Sequence, residues 1–401
     1  MDFYGYMRPN GKAGARNYVL LLPVNRSLNF IASNVERMTR NTRHFEIPAE
    51  TGRTEVDREV IARTLIGLMN NANVGGIVLL AVKSGAGSAY KNMCAERFEE
   101  EARKTGKPFR IVYLTNVGGS YNMLGETLRL TREVLLEVSD FRRENCPLSA
   151  LTLGVKCGTS DATSGIAGNP CVGAAFDQLI RAGGTAFFSE TTEIIGAEDL
   201  VAKRAVNESV AKKILSAARH WEDKAKATGE DIRKINPIPA NIAAGISSLE
   251  EKSLGAIAKS GTSPIQDVLK YAEMPKGSGL YFVDSWMSSL SLPLCLTACG
   301  ATIMLYQMGG GKIAQHPMMP SINPTVVSPF LYLTGNAVAY SRAPDNFDFD
   351  ASSIMTEGAS IPEMGTKLLE HLSAIASGTM TKMETLNYAE QLELYMEGPV
   401  L

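Results

Sequence analysis

The stretch GGIVLLAV, residues 75–82, has no charged side chain and no alternation of polar with apolar residues. A strand with one wet face alternates, whereas a strand buried on both faces reads as a short continuous apolar run. Six further largely apolar runs of similar length occur along the chain. They are YVLLLPV (18–24), FRIVYLTN (109–116), ALTLGV (150–155), TAFFSE (185–190), GLYFVDS (279–285) and ATIMLYQM (301–308). We therefore predict strands of mostly parallel sheets.

Between these runs, apolar residues recur at the three- and four-residue spacing of amphipathic helices. The clearest sets are Leu124, Leu128, Leu135 and Val138, and Val172, Phe176, Leu179 and Ile180. Alternating strands and helices predict an α/β fold in which helices flank open, mostly parallel sheets. A long helix is predicted to end near Arg143–Pro147, just before a new strand. We therefore expect two α/β lobes, residues 1–146 and 147–401, the second carrying the main site motifs.

Composition and charge exclude several classes of protein. The net charge is −2 at pH 7, without the basic surface that a nucleic-acid-binding protein needs. No apolar run reaches the roughly 18 residues of a membrane span, and the N-terminal segment lacks the apolar centre of a signal peptide. The six cysteines include no C-x-x-C pair. We expect a cytoplasmic protein with reduced thiols that binds neither nucleic acid nor membrane.

The segment KCGTSDATSGIAGNPCVG, residues 156–173, follows one predicted strand and precedes a helix. Asn169 and Pro170 predict the start of that helix, as N-cap and first helical residue. The next strand ends in Glu190, and Thr191 or Thr192 is predicted to cap a second helix. Because carboxyl ends of parallel strands lie where ligands bind, both polar segments should face one crevice.

These two segments offer the chemistry of a binding site for an anion or a metal. Backbone N–H groups at 170–173 would favour a carboxylate, and hydroxyl and amide side chains would bind substrate hydroxyls. The hydrogen-bonding candidates are Ser160, Thr163, Ser164 and Asn169, and the metal-binding candidates are Cys157, Asp161, Glu190 and Glu193. A capped turn with solvated acids is the alternative interpretation.

Four other segments admit a structural or a functional interpretation. Arg16 and Asn17 precede the first buried strand, either in a glycine turn or as an arginine fork for a carboxylate. Lys252 follows two acids at a predicted helix start, where it is either solvated or, in a cleft, a catalytic base or a group that binds a carboxylate. The proline-bearing stretch 234–245 is predicted to be a long functional loop. GGGK, residues 309–312, lacks the spacing of a phosphate-binding loop, so we expect no nucleotide site.

Three longer stretches resemble the altronate/galactarate dehydratase family, which includes the large subunit of (2R)-sulfolactate sulfo-lyase. They are GYMRPNGKAGARNYVLLLPV, KCGTSDATSGIAGNPCVGAAFDQLIRAGGTAFFSETTEIIGAE and NIAAGISSLEEKSLGAIAKSGTSPIQDVL. The second contains the motifs C-G-x-S-D-x-x-S-G-x-x-x-N-P and E-x-x-E-x-x-G-A-E, and DNFDFD (345–350) is similar to the family's D-N-x-D segment. The resemblance covers nearly the whole chain.

The resemblance implies a lyase that removes a β-substituent from a 2-hydroxy acid and yields a 2-keto acid. We expect first that the enzyme removes water from a sugar acid. One alternative is that it releases sulfite from sulfolactate. The other is that the protein binds a sugar acid without catalysing a reaction. The resemblance further implies a divalent metal, Fe²⁺ before Mn²⁺ or Mg²⁺, and a separate small β-rich subunit. A homo-oligomer is also compatible with it.

The predicted site residues fall into three groups. The expected metal ligands are Cys157, Glu190 and Glu193. The expected catalytic residues are Lys252, Glu190 and Asp161. The expected substrate-binding residues are Arg16, Asn17, Ser160, Thr163, Ser164 and Asn169.

The chain departs from the dehydratase pattern at several positions. Ser27, Glu50, Arg53 and Ser84 stand where dehydratases of the family tend to carry cysteine or histidine. The sulfo-lyase branch also lacks those cysteines, which favours that branch. The segment QMGGG (307–311) replaces a T-G-x-G segment and departs from both branches.

Overall fold

The computed structural model describes residues 1–83, 90–310, 322–387, 389 and 393–400. Within these ranges the strands form two parallel sheets and one small antiparallel sheet. Helices cover the faces of the parallel sheets, which confirms the predicted α/β fold. Positions Ser84, Gly311 and Lys312, named above, lie outside the described residues.

The first parallel sheet has four strands in the order β4-β3-β5-β6. Its strands are β3 (Tyr18–Pro23), β4 (Thr42–His44), β5 (Val74–Ala81) and β6 (Phe109–Tyr113). Its helices are α1 (Asn29–Met38), α2 (Glu55–Asn70), α3 (Ala95–Lys104), α4 (Leu114–Val117) and α5 (Ser120–Ser139). All eight residues of β5 are buried, as its uninterrupted apolar run predicted.

The second parallel sheet has seven strands in the order β10-β11-β9-β8-β12-β13-β14. The strands are β8 (Thr152–Gly158), β9 (Thr185–Phe188), β10 (Ile265–Leu269), β11 (Gly279–Val283), β12 (Ile303–Met308), β13 (Phe330–Thr334) and β14 (Phe349–Asp350). The sequence analysis omitted β10, β13 and β14. β10 is a half-buried edge strand with polar residues at its centre, and β14 has only two residues.

The helices described around the second sheet vary from one turn to twenty residues. They are α6 (Asn169–Arg181), α7 (Glu198–Ala202), α8 (Glu208–Ala227), α9 (Ile232–Ile235), α10 (Pro239–Ala243), α11 (Leu249–Ile257), α12 (Leu292–Cys299), α13 (Ala337–Arg342), α14 (Ser353–Thr356), α15 (Ile361–Ala376) and α16 (Lys382–Thr385). No helix in the described part of the chain is long and apolar enough to cross a membrane.

The small antiparallel sheet joins the N-terminus to the region between the two larger sheets. β1 (Asp2–Met7) pairs with β2 (Ala13–Gly14) on one side and β7 (Glu144–Pro147) on the other. The segment expected to separate two lobes is therefore itself a strand.

The two parallel sheets pack together through α2 and α12. A Cβ atom on Gly67 would lie 2.2 Å from the carbonyl oxygen of Ala298, so the backbones approach too closely for any side chain there. The side-chain amide of Asn71 donates to the carbonyls of Thr297 and Ala301, at 2.9 Å each. These contacts hold the two sheets in a fixed relation.

Candidate functional site

The carboxyl ends of β8 and β9 lie side by side, because these strands are parallel neighbours. Cys157, the penultimate residue of β8, has its Sγ 3.5 Å from an oxygen of Glu190 and 3.3 Å from an oxygen of Glu193. Among the described residues these three form a set of potential metal ligands whose atoms lie within 4.8 Å of one another. The strand-end argument thus predicted this convergence.

The turn after β9 differs from the predicted helix start. Glu190 adopts a left-handed conformation, φ 73° and ψ 63°, which costs a residue with a side chain roughly 1–2 kcal/mol. Thr191 does not cap a helix, because its hydroxyl donates to Asp284 at 2.8 Å and accepts from the N–H of Ser285 at 3.1 Å. A short 3₁₀ turn, Thr191–Glu193, follows instead and turns both glutamates inward.

Two buried lysines complete the site, and the sequence analysis missed both. Lys156 Nζ lies 3.0 Å from Glu190 Oε1. Lys259 Nζ contacts Glu190 Oε2 and lies 3.1 Å from Cys157 Sγ. Lys252, which was predicted, lies 3.0 Å from Glu193 Oε1. The sequence contains one signal for Lys259. It lies seven residues after Lys252, a spacing that places both lysines on one face of a helix.

These six side chains, hereafter the buried cluster, share almost complete exclusion from solvent. They are Lys156, Cys157, Glu190, Glu193, Lys252 and Lys259, and none is more than 6% exposed. Burying charged groups costs several kcal/mol each unless they are paired. Three lysines and two glutamates in contact meet that requirement and leave an excess of one positive charge while the thiol is neutral.

The protonation states follow from burial and from these neighbours. Burial and the two glutamates raise the pKa of Cys157 to about 12, so the thiol is protonated at neutral pH. Burial alone would raise the pKa of Glu193, but Lys252, Lys259 and Lys156 outweigh it and bring that pKa to about 2. Burial likewise opposes the charge of Lys259, but Cys157 and the glutamates outweigh it and raise its pKa. An additional anion is therefore favoured beside the cluster.

Lys252 connects the buried cluster to a cavity of about 280 Å³. The cavity is lined by Ser160, Asp161, Ala162, Ser164, Gly165, Ile166, Asn169, Ile246, Glu251, Lys252, Leu254, Gly255 and Ala256. The predicted residues Ser160, Asp161, Ser164 and Asn169 are thus brought together with Lys252. Cys157, Glu190 and Glu193 do not line the cavity, and neither does Thr163.

The stretch 234–245, predicted to be a functional loop, holds Lys252 in place. Its amide oxygens Asn236 Oδ1 and Asn241 Oδ1 accept from Lys252 Nζ at 2.7 and 3.3 Å. Asn241 also donates to the carbonyl of Ser160 at 2.9 Å, which links the lysine to the β8 loop. Ser248 caps the helix that carries Lys252, as the predicted start of that helix requires. The stretch contains helix α10 and is therefore not wholly irregular.

α6 begins at Asn169 with Pro170 in its first turn, but the predicted N-cap role of Asn169 is wrong. Residues 162–181 are helical without a break, with a π-helical turn at Ser164–Gly168. Asp161 caps this longer helix, because its Oδ1 accepts from the N–H of Ser164 at 3.1 Å. The backbone groups at 170–173 therefore lie inside the helix, and the anion site expected there does not exist.

Asp161 is held by four donors. Oδ1 accepts from the hydroxyl of Thr163 at 2.6 Å as well as from Ser164, and Oδ2 accepts from Gly310 N at 2.6 Å and Asn336 Nδ2 at 3.0 Å. The carboxylate thereby fixes the loop that closes one side of the cavity.

Several buried polar atoms at this sheet edge have no hydrogen-bond partner among the described residues. They are Asn169 Oδ1, Thr192 Oγ1, Asn236 Nδ2, and Gln307 Nε2 and Oε1. Gln307 is fully buried, lies beside Cys157 in the register of β12 and β8, and packs against Gly168. Unpartnered buried polar atoms are rare in native proteins. Their concentration here is typical of a site that a polar ligand completes.

The predicted substrate-binding role of Arg16 and Asn17 is not supported by their positions. Arg16 forms a fork on Glu384, with two contacts of 2.6 Å, so the carboxylate it binds belongs to the chain itself. Asn17 accepts from Arg8 at 2.8 Å and donates to the carbonyl of Val138 at 3.0 Å. Neither residue lines the cavity beside Lys252.

Two of the positions that depart from the dehydratase pattern, Ser27 and Glu50, lie at the carboxyl edge of the four-stranded sheet. Glu50 accepts from the side chain of Asn25 and the N–H of Arg26, each at 3.2 Å, just beyond β3. Ser27 lies in the short 3₁₀ turn that follows.

Comparison with known proteins matches almost the entire chain. Residues 5–139 match the model described as "D-galactarate dehydratase/Altronate hydrolase, second domain", and residues 148–399 match "D-galactarate/Altronate dehydratase, C-terminal". The (2R)-sulfolactate sulfo-lyase subunit beta of Chromohalobacter salexigens is 32% identical, over 97% of this chain and 96% of that protein. The altronate dehydratase of Bacillus subtilis is 29% identical, over 100% and 78%. The galactarate dehydratase (L-threo-forming) of Escherichia coli is 29% identical, over 99% and 77%.

Proposed function

The chain belongs to the D-galactarate/altronate dehydratase family, and from this premise we propose that it is a lyase acting on a 2-hydroxy acid. The reaction removes a proton from C2 and a substituent from C3, and the resulting enol becomes a 2-keto acid. Sugar acids that lose water are the first candidate substrates. The observation that carries the proposal is Lys252 at the end of a cavity that Ser160, Asp161, Ser164 and Asn169 also line, backed by the buried cluster.

Lys252 has an electrostatic role in this proposal. When the C2 proton leaves, negative charge develops on the substrate carboxylate, and a fixed cation in a water-poor site stabilises that charge strongly. Because the pKa of Glu193 is about 2, Glu193 stays ionised and holds the Lys252 side chain in place at 3.0 Å. The ammonium group therefore binds the carboxylate rather than accepting the proton.

The proton acceptor is then a carboxylate of the cavity. Asp161 and Glu251 are the carboxylates that line it in the described part of the chain. Asp161 already accepts hydrogen bonds from four residues, whereas Glu251, among the described residues, is bound only through one oxygen, by Ser247. We propose that Asp161 orients the substrate-binding loop and that Glu251 takes the proton. Ser160, Ser164 and Asn169 bind the substrate hydroxyls.

A divalent metal fits the donor set formed by Cys157, Glu190 and Glu193 if Lys259 moves away from it. The three ligand atoms are close enough, and a thiolate with two carboxylates suits Fe²⁺ better than Mg²⁺. Lys259, however, lies among these atoms, 3.1 Å from the sulfur, and must move aside. A bound ion would act as a Lewis acid on the substrate carboxylate and 2-hydroxyl. Replacing the thiol proton by a divalent ion adds one positive charge, so an anionic substrate should strengthen metal binding.

Sulfite is the second candidate leaving group. This chain matches 96% of the length of the sulfo-lyase subunit but 78% of altronate dehydratase, and its identity to the former is higher. That relative is named a subunit, which supports our proposal that a separate small β-rich subunit completes the enzyme.

A turnover assay tests the proposed function. The purified chain, with and without a candidate small subunit and with Fe²⁺, Mn²⁺ or Mg²⁺, is offered altronate, galactarate, tartrate and (2R)-sulfolactate. We expect 2-keto acid from at least one substrate, and sulfite release identifies the second candidate. Saturable binding of a sugar acid without product in every combination would instead favour the non-catalytic alternative.

Variants assign the roles within the cavity. Lys252→Met should lower kcat/KM by roughly 10²–10³-fold, as removal of one charge-stabilising donor does elsewhere. Lys367→Met, at an exposed position of α15, is the matched control and should leave turnover unchanged. Glu251→Gln should chiefly lower kcat, because it removes the proposed proton acceptor, whereas Asp161→Asn should chiefly raise KM. The reverse pattern would make Asp161 the base, and full activity of Glu190→Gln would remove the buried cluster from the mechanism.

A further inference from the structure

A second cavity, of about 800 Å³, is separate from the proposed active site. It opens at the amino-terminal edge of the four-stranded sheet, where Tyr18 begins β3 and Asn41 precedes β4. The proposed active site, in contrast, lies at the carboxyl edge of the seven-stranded sheet. The two cavities share no lining residue.

Four arginines line this second cavity: Arg16, Arg43, Arg142 and Arg143. Glu384 is the only acidic residue among the described lining residues, and Arg16 occupies both of its oxygens. Arg43 has one acidic partner that does not line the cavity, Glu36, whose carboxylate lies 3.5 Å from the guanidinium group. Among the described residues, neither Arg142 nor Arg143 has a carboxylate within ion-pair distance. The cavity wall therefore carries uncompensated positive charge.

The guanidinium groups are held in place before any ligand arrives. Arg143 donates to the carbonyls of Tyr4, Ala15 and Ala376 at 2.8–2.9 Å and stacks on the ring of Tyr6 at 4.6 Å. Arg142 donates to the carbonyl of Ser139 at 2.5 Å. Backbone carbonyls position these groups without neutralising them.

One donor of the cavity wall lacks an acceptor altogether. Arg43 Nε is buried and has no hydrogen-bond partner among the described residues, although the rest of the guanidinium lies over the ring of Tyr18 at 4.7 Å. Burial, with a contribution from neighbouring Arg16, lowers the pKa of Arg143, as expected where positive charges crowd together. A negatively charged ligand would relieve both features.

We propose that this cavity binds a small, multiply charged anion, either a polycarboxylate or a phosphate compound. Arginine forks bind carboxylate and phosphate oxygens in pairs, and several forks on one wall select for more than one negative charge. The volume lies within the range of small-molecule sites. The polar character of the wall disfavours an apolar ligand.

Isothermal titration calorimetry at constant ionic strength tests the proposal with citrate and pyrophosphate as probes. We expect saturable binding of at least one probe, and the stronger probe indicates whether carboxylates or phosphates are preferred. The double variant Arg43→Gln/Arg142→Gln should bind at least tenfold more weakly. The control Arg219→Gln removes one positive charge at an exposed position of α8 and should bind within twofold of the natural chain.

Three results would overturn the proposal. They are the absence of saturable binding for both probes, an equal loss in Arg219→Gln, and binding that Lys252→Met abolishes while the double variant retains it. The last result would place the anion in the proposed active site. If the double variant misfolds by circular dichroism, Arg142→Gln alone is used, because its exposed side chain makes only local contacts. Binding is measured without turnover, so the outcome does not depend on the lyase proposal.

Discussion

Lys259 Nζ lies 3.1 Å from Cys157 Sγ, although the two residues are 102 positions apart in the chain. The same ammonium group contacts Glu190, so it sits among the three side chains that could hold a metal. A lysine there pairs with the buried carboxylate of Glu190 and donates to the sulfur, while burial and the two glutamates keep the thiol protonated. Metal binding and the Lys259 ion pair are therefore alternatives at one position.

The first prediction follows from that competition. Lys259→Met removes the ammonium group and leaves the negative charges of Glu190 and Glu193 less well compensated. We expect tighter binding of Fe²⁺ or Mn²⁺ by at least tenfold, measured by titration calorimetry under anaerobic conditions. Without metal the variant should be less stable by about 3–5 kcal/mol, because breaking a buried ion pair leaves a charge without a partner.

Lys156→Met is the matched comparison for this prediction. Lys156 also pairs with Glu190 and is equally buried, but no hydrogen bond joins its ammonium group to the sulfur. Its loss should destabilise the protein while improving metal binding less. Equal metal affinity in the natural chain and in Lys259→Met would show that the metal does not bind at this cluster.

The second prediction concerns acid stability. The pKa of Glu193 is about 2 in the folded protein, against 4.5 for an unperturbed glutamate. A lowered folded pKa contributes stability above the unfolded value, and this contribution is lost as the pH falls from 4.5 towards 2. The loss is about 3 kcal/mol at full protonation. Urea unfolding at pH 7, 5, 4 and 3 measures it.

Glu193→Gln isolates this contribution from the other carboxylates. The variant should be less stable at pH 7, but its stability should fall less steeply below pH 4.5. Parallel pH profiles for the two proteins would contradict the prediction.

The part of the site that the sequence predicted depends on the sheet. Continuous apolar runs identified β8 and β9, and parallel strands necessarily place residues such as Cys157 and Glu190 at one edge. Lys156 and Lys259 were harder to find, because each pairs with a residue far away in sequence and the local signal was limited to the spacing of Lys252 and Lys259. The wrong N-cap prediction at Asn169 has a local cause. Asp161 caps the helix earlier in the chain, but the Asn-Pro pair is the stronger helix-start signal in the sequence.

Arg16 shows a different limit of sequence reasoning. The prediction of an arginine fork for a carboxylate named the correct chemistry, and the structure contains that fork. Its partner, Glu384, is 368 residues away and belongs to the chain. Residue type revealed what Arg16 binds, but only the fold reveals whether the carboxylate is a substrate or a side chain.

The third prediction concerns thiol reactivity. Burial and two glutamates raise the pKa of Cys157 to about 12, and a buried protonated thiol is inert. Cys94 is the only cysteine of the chain that is not buried. We expect one thiol to react quickly with a disulfide reagent at pH 7.5, and Cys94→Ser to abolish that phase. Cys157→Ser should retain it; a fast phase that depends on Cys157 would mean that the cluster is open to solvent.

The last prediction concerns Gln307, whose amide nitrogen and oxygen both lack a hydrogen-bond partner among the described residues. Replacing a buried unsatisfied amide with an apolar side chain of similar size removes a desolvation penalty of about 1–3 kcal/mol. Gln307→Met should therefore unfold at higher urea concentration than the natural chain, an unusual result for a substitution in a core. If the amide instead exists to bind substrate, the same variant should show a higher KM.

The change in stability and the change in KM together show whether the Gln307 amide binds a ligand or is only an unsatisfied group in the core. Gln266→Met, at a half-exposed position of β10, is the control and should change the free energy of unfolding by less than about 0.5 kcal/mol. Higher stability with unchanged KM would show that Gln307 plays no part in binding. Lower stability would show that its amide has a partner in solution, and the case for a ligand at this edge of the sheet would then rest on Lys252 alone.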